Sequence, residues 1–453
     1  MNFSTGQKLI AQKEFGKALN VFLNLKDKND DIYFYLGLIY FELNNFNKSI
    51  HYYNKFLKKK PNSIIALYNL AFVKQSIGQI EMAKNIYLKL IEIDQNKIRP
   101  YYGLYTLNPN YLDQNKYEII LDIKNNYSHS LFEQGIINYL LSKNEKNNKN
   151  YSKEIEYLEN SHNLIFNSKK QLNISSLFYY NQIIGQFFNK INFKNNENSN
   201  LIDNKFKPIF IIGLPRSGST LIEAILSSSL DDMNSLGECH VINISILEQL
   251  GSKIYSKDFD IKKFKYEINL NIANKSILRR YKEFNIDKKK DNQIMIDKSL
   301  ENFFNIETII NIFPRAKFIH TFRNSLDSII SIYQSMLAEL SWAHSIEDIL
   351  TYMDKYINIL DYYKSKYPNV IMDVDLKEFT KNSNQISKDI YKFCGLNWNN
   401  DVLKFYKRNN LHSKTLSFAQ IRNKVSKYDK SKYEPYFYLL EKYKSKFKWL
   451  DIK

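Results

Sequence analysis

One stretch constrains this chain's fold more than any other: KPIFIIGLPRSGSTLIEAIL, residues 207–226. Pro208 precedes an uninterrupted apolar run, Ile209–Ile212, long enough for a strand buried on both faces as parallel strands are. Gly213–Thr220 supplies a turn, and Leu221–Leu226 continues with helical apolar spacing. A strand, a glycine-bearing turn and a helix start bring backbone N–H groups together at the positive end of a helix dipole. Such a site takes an anion, and in open parallel sheets ligands gather at the C-terminal strand ends. The second half of the chain is therefore expected to be an α/β domain with a parallel central sheet.

Gly213-x4-Gly218-Ser219-Thr220 follows the P-loop pattern except that Ser219 stands where the nucleotide-triphosphate-binding version requires Lys. That Lys would lie between the β- and γ-phosphates, with Mg²⁺ on the next hydroxyl. Its absence argues against a kinase or another P-loop enzyme of that kind. The cation here is Arg216, inside the loop, whose planar fork stays charged at any working pH.

Bulk composition narrows function less. At 453 residues the chain exceeds what one hydrophobic core usually serves, so two domains are expected. A net charge of +18 suits anionic partners. Most of it is explained by Lys accumulating with Asn and Ile, as AT-rich coding produces. No recognised motif supports nucleic-acid binding, and none is expected. Cys239 and Cys394 form neither a disulfide framework nor a metal spacing, which fits a reducing cytosol. Lys8, Lys13 and Lys17 interrupt the apolar residues of the N-terminus. No run approaches the roughly 18 apolar residues of a membrane helix. The expectation is a cytoplasmic protein without a membrane partner.

Small residues recur in the first hundred positions. Gly6 pairs with Ala18, Gly37 with Ser49 and Ala71 with Ala83 at a constant separation; Gly37 and Ala71, and likewise Ser49 and Ala83, lie 34 residues apart. Leu36 with Leu70, Phe46 with Ile80 and Tyr53 with Tyr87 keep the same offset, and Pro61 closes a unit. The small residues let paired helices approach while large apolar side chains fill the space between units. This spacing resembles tetratricopeptide (TPR) proteins and predicts an N-terminal TPR-like α-solenoid over 1–97. A degenerate helical region is expected over 98–192, with the polar stretch SKNEKNNKN as a loop, then a linker over 193–207 and the α/β domain over 208–453. TPR arrays hold peptides; a spacer or dimerisation arm fits the pattern equally.

PRSGST between a strand and a helix resembles the 5'-phosphosulfate loop of sulfotransferases, notably the tyrosylprotein sulfotransferases and bacterial TPR–sulfotransferase fusions. The resemblance spans about Pro208–Tyr436. It implies a co-substrate, 3'-phosphoadenosine 5'-phosphosulfate (PAPS), bound by Arg216, Ser217, Gly218, Ser219 and Thr220. Leu236-Gly237-Glu238 stands where the family keeps its general base, so Glu238 inherits that role, with His240 as fallback. Asp297-Lys298 matches the pair whose Lys stabilises the bridging oxygen. Arg323 and Ser331 match the Arg-x7-Ser that holds the 3'-phosphate, although Asn324-Ser325 replaces the usual Asp-Pro and Ser335 replaces a further Arg. Toward the C-terminus, Ser417 matches a Ser that bonds the transferring group, Gln420 a Gln of the same turn, and Lys432 the Lys of a Ser-Lys-Trp that reaches the nucleotide. Arg422 and Lys424 are candidate extra cations. Leu376-Lys377-Glu378-Phe379 departs from the family's Tyr-Glu-Asp-Leu and loses its Tyr.

The resemblance thus implies metal-free sulfuryl transfer to an acceptor hydroxyl, catalysed by Glu238, Arg216, Lys298 and Ser417. The acceptor is open between a tyrosine held by the repeats and a carbohydrate, lipid or small-molecule hydroxyl. A homodimer is a further expectation. The contrasting reading is a TPR scaffold with an inactive nucleotide-binding domain.

Overall fold

The computed structural model describes residues 2–25, 29–194, 206–228, 234–284, 293–408, 411–415, 417–418, 420–429 and 431–450. The chain divides into two compact units. The first comprises Met1–Ser161 with Lys282–Ile286 and Asn409–Arg422; the second comprises His162–Tyr281, Asp287–Arg408 and Asn423–Lys453.

The first unit begins with three helical hairpins: α1 (Phe3–Ala11) with α2 (Phe15–Leu23), α3 (Asp31–Glu42) with α4 (Phe46–Lys59), and α5 (Ile64–Ser76) with α6 (Ile80–Ile93). The recurring small residues lie where the helices meet. Ala18, Ala71 and Ala83 are fully buried. The Ser49 hydroxyl donates to the Gly37 carbonyl at 2.7 Å. A Cβ at Gly37 would stand 2.8 Å from the Tyr53 ring, so the tyrosine lies directly on the glycine backbone. Large residues fill the space between hairpins, as in the cluster of Phe41, Tyr53, Leu70 and Val73. α7 (Ile98–Leu107), α8 (Gln114–Asn126), α9 (Leu131–Asn147) and α10 (Tyr151–Ser168) follow, and the residues of α10 from His162 onward belong to the second unit.

The polar stretch read as a loop is mostly helix, since α9 runs through Ser142 to Asn147. A capping box, Ser130 with Glu133, fixes its start. Ser142 and Lys143 are buried, so local polarity is overridden by packing. Two segments from the second half of the sequence join this unit. The Gly16 N–H donates to the Glu283 carboxylate at 3.0 Å, and the Ser413 N–H donates to the Ser76 carbonyl at 2.9 Å.

The second unit is built on strands. In chain order they are β1 (Asn192–Lys194), β2 (Phe206–Gly213), β3 (Asn234–Ser235), β4 (Glu267–Asn269), β5 (Gln293–Asp297), β6 (Lys317–Phe322) and β7 (Ile371–Asp375). The main sheet has the order β3-β5-β2-β6-β7, with every pairing parallel. β1 and β4 pair separately, also in parallel. β2 is central, and Phe210, Ile211 and Ile212 are fully buried, as a strand covered on both faces requires. The architecture is a TPR-bearing helical region and an α/β domain on a parallel sheet. The linker expected over 193–207 is strand at both of its ends; residues 195–205 lie outside the described ones. Among the described residues no helix is long and apolar enough to cross a membrane.

Candidate active site

The site is assembled from the ends of three adjacent strands. Gly213, the last residue of β2, pairs with Thr321 of β6, so the loop from Leu214 and the segment from Arg323 leave the sheet at the same edge. Gly213 has φ +144°, and a Cβ there would lie 2.3 Å from the Thr321 carbonyl oxygen. Glycine alone permits this strand pairing to run into the loop. The Ser217 hydroxyl donates to the Leu214 carbonyl at 2.7 Å and lies 2.8 Å from Thr321 Oγ1, which fastens the loop to β6. Arg216 takes φ +67° and Gly218 +89°. Gly218 then caps the helix Ser219–Leu226, which starts two residues earlier than the apolar spacing suggested. Ser219 and Thr220 are buried in its first turn. Leu376, standing where the family has Tyr, packs on Gly218.

On the other side of β2, β5 ends at Asp297 and delivers Lys298. Asp297 accepts from the Ser299 N–H at 2.8 Å, the Tyr281 hydroxyl at 2.7 Å and the Cys239 thiol at 3.3 Å. Its carboxylate is a fixed post that sets the direction of the next residue. Lys298 is 1% exposed; its ammonium donates to Glu238 at 2.7 Å and faces Glu223 at 3.7 Å. Burial opposes the charge on Lys298, but Glu238 and Glu223 together outweigh it and hold its pKa above the usual lysine range. For Glu223 the balance reverses: burial pushes its pKa up despite Lys298. The principal ion pair is therefore Lys298 with Glu238, whose side chain keeps 38% exposure. The Lys298 N–H also donates to the Gly237 carbonyl at 3.0 Å, which fixes the Gly237-Glu238 corner. His240, next along, points its Nδ1 at the Glu301 carboxylate, and its N–H donates to Ser299 Oγ at 2.8 Å.

Past β6, Asn324 caps the helix Ser325–Tyr333 by accepting from the Leu326 and Asp327 N–H groups. This accounts for Asn at the position where the family has Asp. Arg323 and Ser331 are both buried. Arg323 Nη1 donates to the Tyr433 hydroxyl at 3.0 Å and Nη2 to the Asp327 carbonyl at 2.9 Å. Its Nε is buried with no partner among the described residues, a donor left over in a charged pocket. Ser331 also acts on the Tyr433 phenol and helps to draw its pKa down. Lys432 is exposed, with its ammonium 4.9 Å from the Tyr433 ring.

Ser417, Gln420 and Arg422 belong to the first unit. The Ser417 N–H donates to Thr415 Oγ1 at 3.3 Å, and Gln420 is exposed. Arg422 directs its guanidinium to the carbonyls of Ser76, Leu411 and Phe418, so its donors are engaged within that unit. Lys424 is exposed in the second unit. Sequence reasoning missed Glu223, Asp327, Tyr428 and Tyr433. Glu223 carried a signal, since a carboxylate inside an apolar helix face must find a cation; the other three depend on pairings across some hundred residues.

Residues 208–400 match the model of the Sulfotransferase family, and 30–63 and 64–97 each match a tetratricopeptide repeat model. The chain carries a sulfotransferase-family domain preceded by tetratricopeptide repeats. The two repeat models coincide with the second and third hairpins. An uncharacterized protein of Aquifex aeolicus is 23% identical over 441 residues, covering 94% of this chain and 55% of that protein. The chain spans about half the length of the curated relatives it matches. Among solved structures, the sulfotransferase domain of the Synechococcus olefin synthase aligns with 16% identity and a TM-score of 0.33, covering 52% of this chain and 88% of that domain. The sulfotransferase domain from the curacin biosynthetic pathway gives 16% and 0.32, with 51% and 96% covered.

Proposed function

We propose that this chain is a PAPS-dependent sulfotransferase that transfers a sulfuryl group to an acceptor hydroxyl, with Glu238 as general base. The observation that carries the reading is the pairing of Gly213 with Thr321, which sends the anion loop and the Arg323 segment out of one sheet edge. A nucleotide with phosphate groups at both its 5' and 3' ends suits two such cationic sites side by side. The loop from Arg216 to Thr220 would take the phosphosulfate, and Arg323 with Ser331 the 3'-phosphate. The unpartnered Nε of buried Arg323 supports an anion there, because a guanidinium out of water needs its donors matched.

In the reaction the acceptor oxygen forms a bond to sulfur while the sulfur–oxygen bond to the phosphate breaks. The acceptor's proton passes to Glu238, and the negative charge leaves on the phosphate. Lys298 and Arg216 oppose that charge without reorganising, which is where such sites gain most of their rate. No metal enters the scheme, because the leaving group is a phosphate already met by cations. Ser417 and Gln420 enter by resemblance as contacts of the closing segment, and Lys432 as a nucleotide cation. The first acceptor to test is a tyrosine in a peptide held by the repeats, in the cytoplasm, where the two free thiols would stay reduced.

Glu238→Gln keeps the hydrogen-bonding shape but cannot take a proton at neutral pH. Turnover of labelled PAPS should fall by about 10²–10⁴-fold with unchanged affinity for adenosine 3',5'-bisphosphate, the product nucleotide. Near-wild-type turnover would move the base to His240, already oriented by Glu301.

A further inference from the structure

The geometry points to the Tyr433 hydroxyl as a built-in stand-in for the nucleotide's 3'-phosphate, occupying Arg323 and Ser331 until that phosphate displaces it. This rests on the nucleotide reading above and adds a regulated entry to the same site. Three observations converge. The Tyr433 hydroxyl accepts from Arg323 at 3.0 Å and is also influenced by Ser331, the two residues read as the 3'-phosphate pair. The Arg323 guanidinium also lies 5.0 Å from the centre of the Tyr433 ring. The stretch bearing Tyr433 is anchored a second time, where the Tyr428 hydroxyl bonds the Asp327 carboxylate; the Asp327 carbonyl is itself an acceptor for Arg323.

The chemistry favours exchange. A phenol offers one neutral oxygen, and it leaves the buried Arg323 Nε without a partner. A phosphate offers three charged oxygens, so it can meet the guanidinium with more than one bond and with opposite charge on the acceptor as well as the donor. Burial disfavours ionisation of Tyr433, but Arg323, Ser331 and Lys432 outweigh it and draw its pKa below the usual phenol value. The pocket is thus tuned to negative charge on the atom that fills it. The phenol spares the empty site the cost of a buried cation with still fewer partners, and it must leave when the true anion arrives. Nucleotides lacking the 3'-phosphate have no reason to move it.

The test compares adenosine 3',5'-bisphosphate with adenosine 5'-phosphate by calorimetric titration of the full chain, wild type and Tyr433→Phe. Losing the stand-in should tighten the bisphosphate by about 3- to 10-fold, the range of one modest hydrogen bond, and leave the monophosphate unchanged. The free protein's melting temperature should drop while that of the bisphosphate complex stays put. Unchanged or weakened bisphosphate binding in the variant would overturn the stand-in while leaving the nucleotide reading intact. A wild type that binds both nucleotides equally would instead overturn the nucleotide reading, and the stand-in with it. Should Tyr433→Phe misfold, two other readouts decide. Tyr433→Trp fills the space without the hydroxyl and should tighten the bisphosphate likewise. In the wild type, trypsin cleavage after Lys432 should change with the bisphosphate and not with the monophosphate; a rate indifferent to both would count against displacement.

Discussion

Lys298 shows how burial and pairing divide the work at a single residue. It is almost fully enclosed between Glu223, itself buried, and the half-exposed Glu238. Removing one partner of a buried ion pair costs about 3–5 kcal/mol, because the other charge is stranded, whereas exposed partners contribute under about 1 kcal/mol. Lys298→Met should therefore lower unfolding stability by about 3 kcal/mol in urea titrations, and turnover should vanish. Glu238→Gln should cost less than that, because its amide oxygen still accepts from the ammonium and Glu223 stays 3.7 Å away. Equal destabilisation by the two variants would contradict this division. The candidate role of Lys298 could be read from the Asp297-Lys298 pair. Glu223 signalled only that it needs a cation; that the cation is Lys298 was not legible, because the contact spans 75 residues.

Among elements, the junction of β2 with its loop matters most, and it was the most legible. Four apolar residues, a glycine turn and helical spacing give strand, loop and helix by local rules alone. The loop's attachment to β6, through Ser217 and Thr321, was not legible, since nothing in the sequence announces a register. Gly213 joins the two. Gly213→Ala would put a methyl group 2.3 Å from a backbone oxygen at a positive φ, where neither partner can yield. The variant should lose about 2–3 kcal/mol of stability and most nucleotide binding, read by thermal shift with adenosine 3',5'-bisphosphate. A variant that still binds the nucleotide normally would mean that the loop does not need this strand end. The stretch Ser142–Asn147 shows the opposite failure: polar composition suggested a loop, but a capped helix start and burial of Lys143 kept it helical.

In the whole molecule, the division into helical repeats and a parallel α/β domain follows from periodicity, because a spacing of 34 residues and a buried strand each admit few folds. What periodicity hides is that the repeat-bearing unit also takes in Lys282–Ile286 and Asn409–Arg422. Ser417, Gln420 and Arg422 thus belong to one unit, and Glu238, Lys298, Arg323 and Lys432 to the other. The account as a whole rests on two neighbouring strand ends gripping opposite ends of one nucleotide. Its most direct test is the affinity ratio of adenosine 3',5'-bisphosphate to adenosine 5'-phosphate in wild type and in Arg323→Met. The wild type should prefer the bisphosphate by about 10- to 100-fold, the worth of hydrogen bonds to a charged group, and the variant should bind both alike with the monophosphate unaffected. A variant that keeps the wild-type preference would contradict the account, because the 3'-phosphate would then be held somewhere other than at the end of β6.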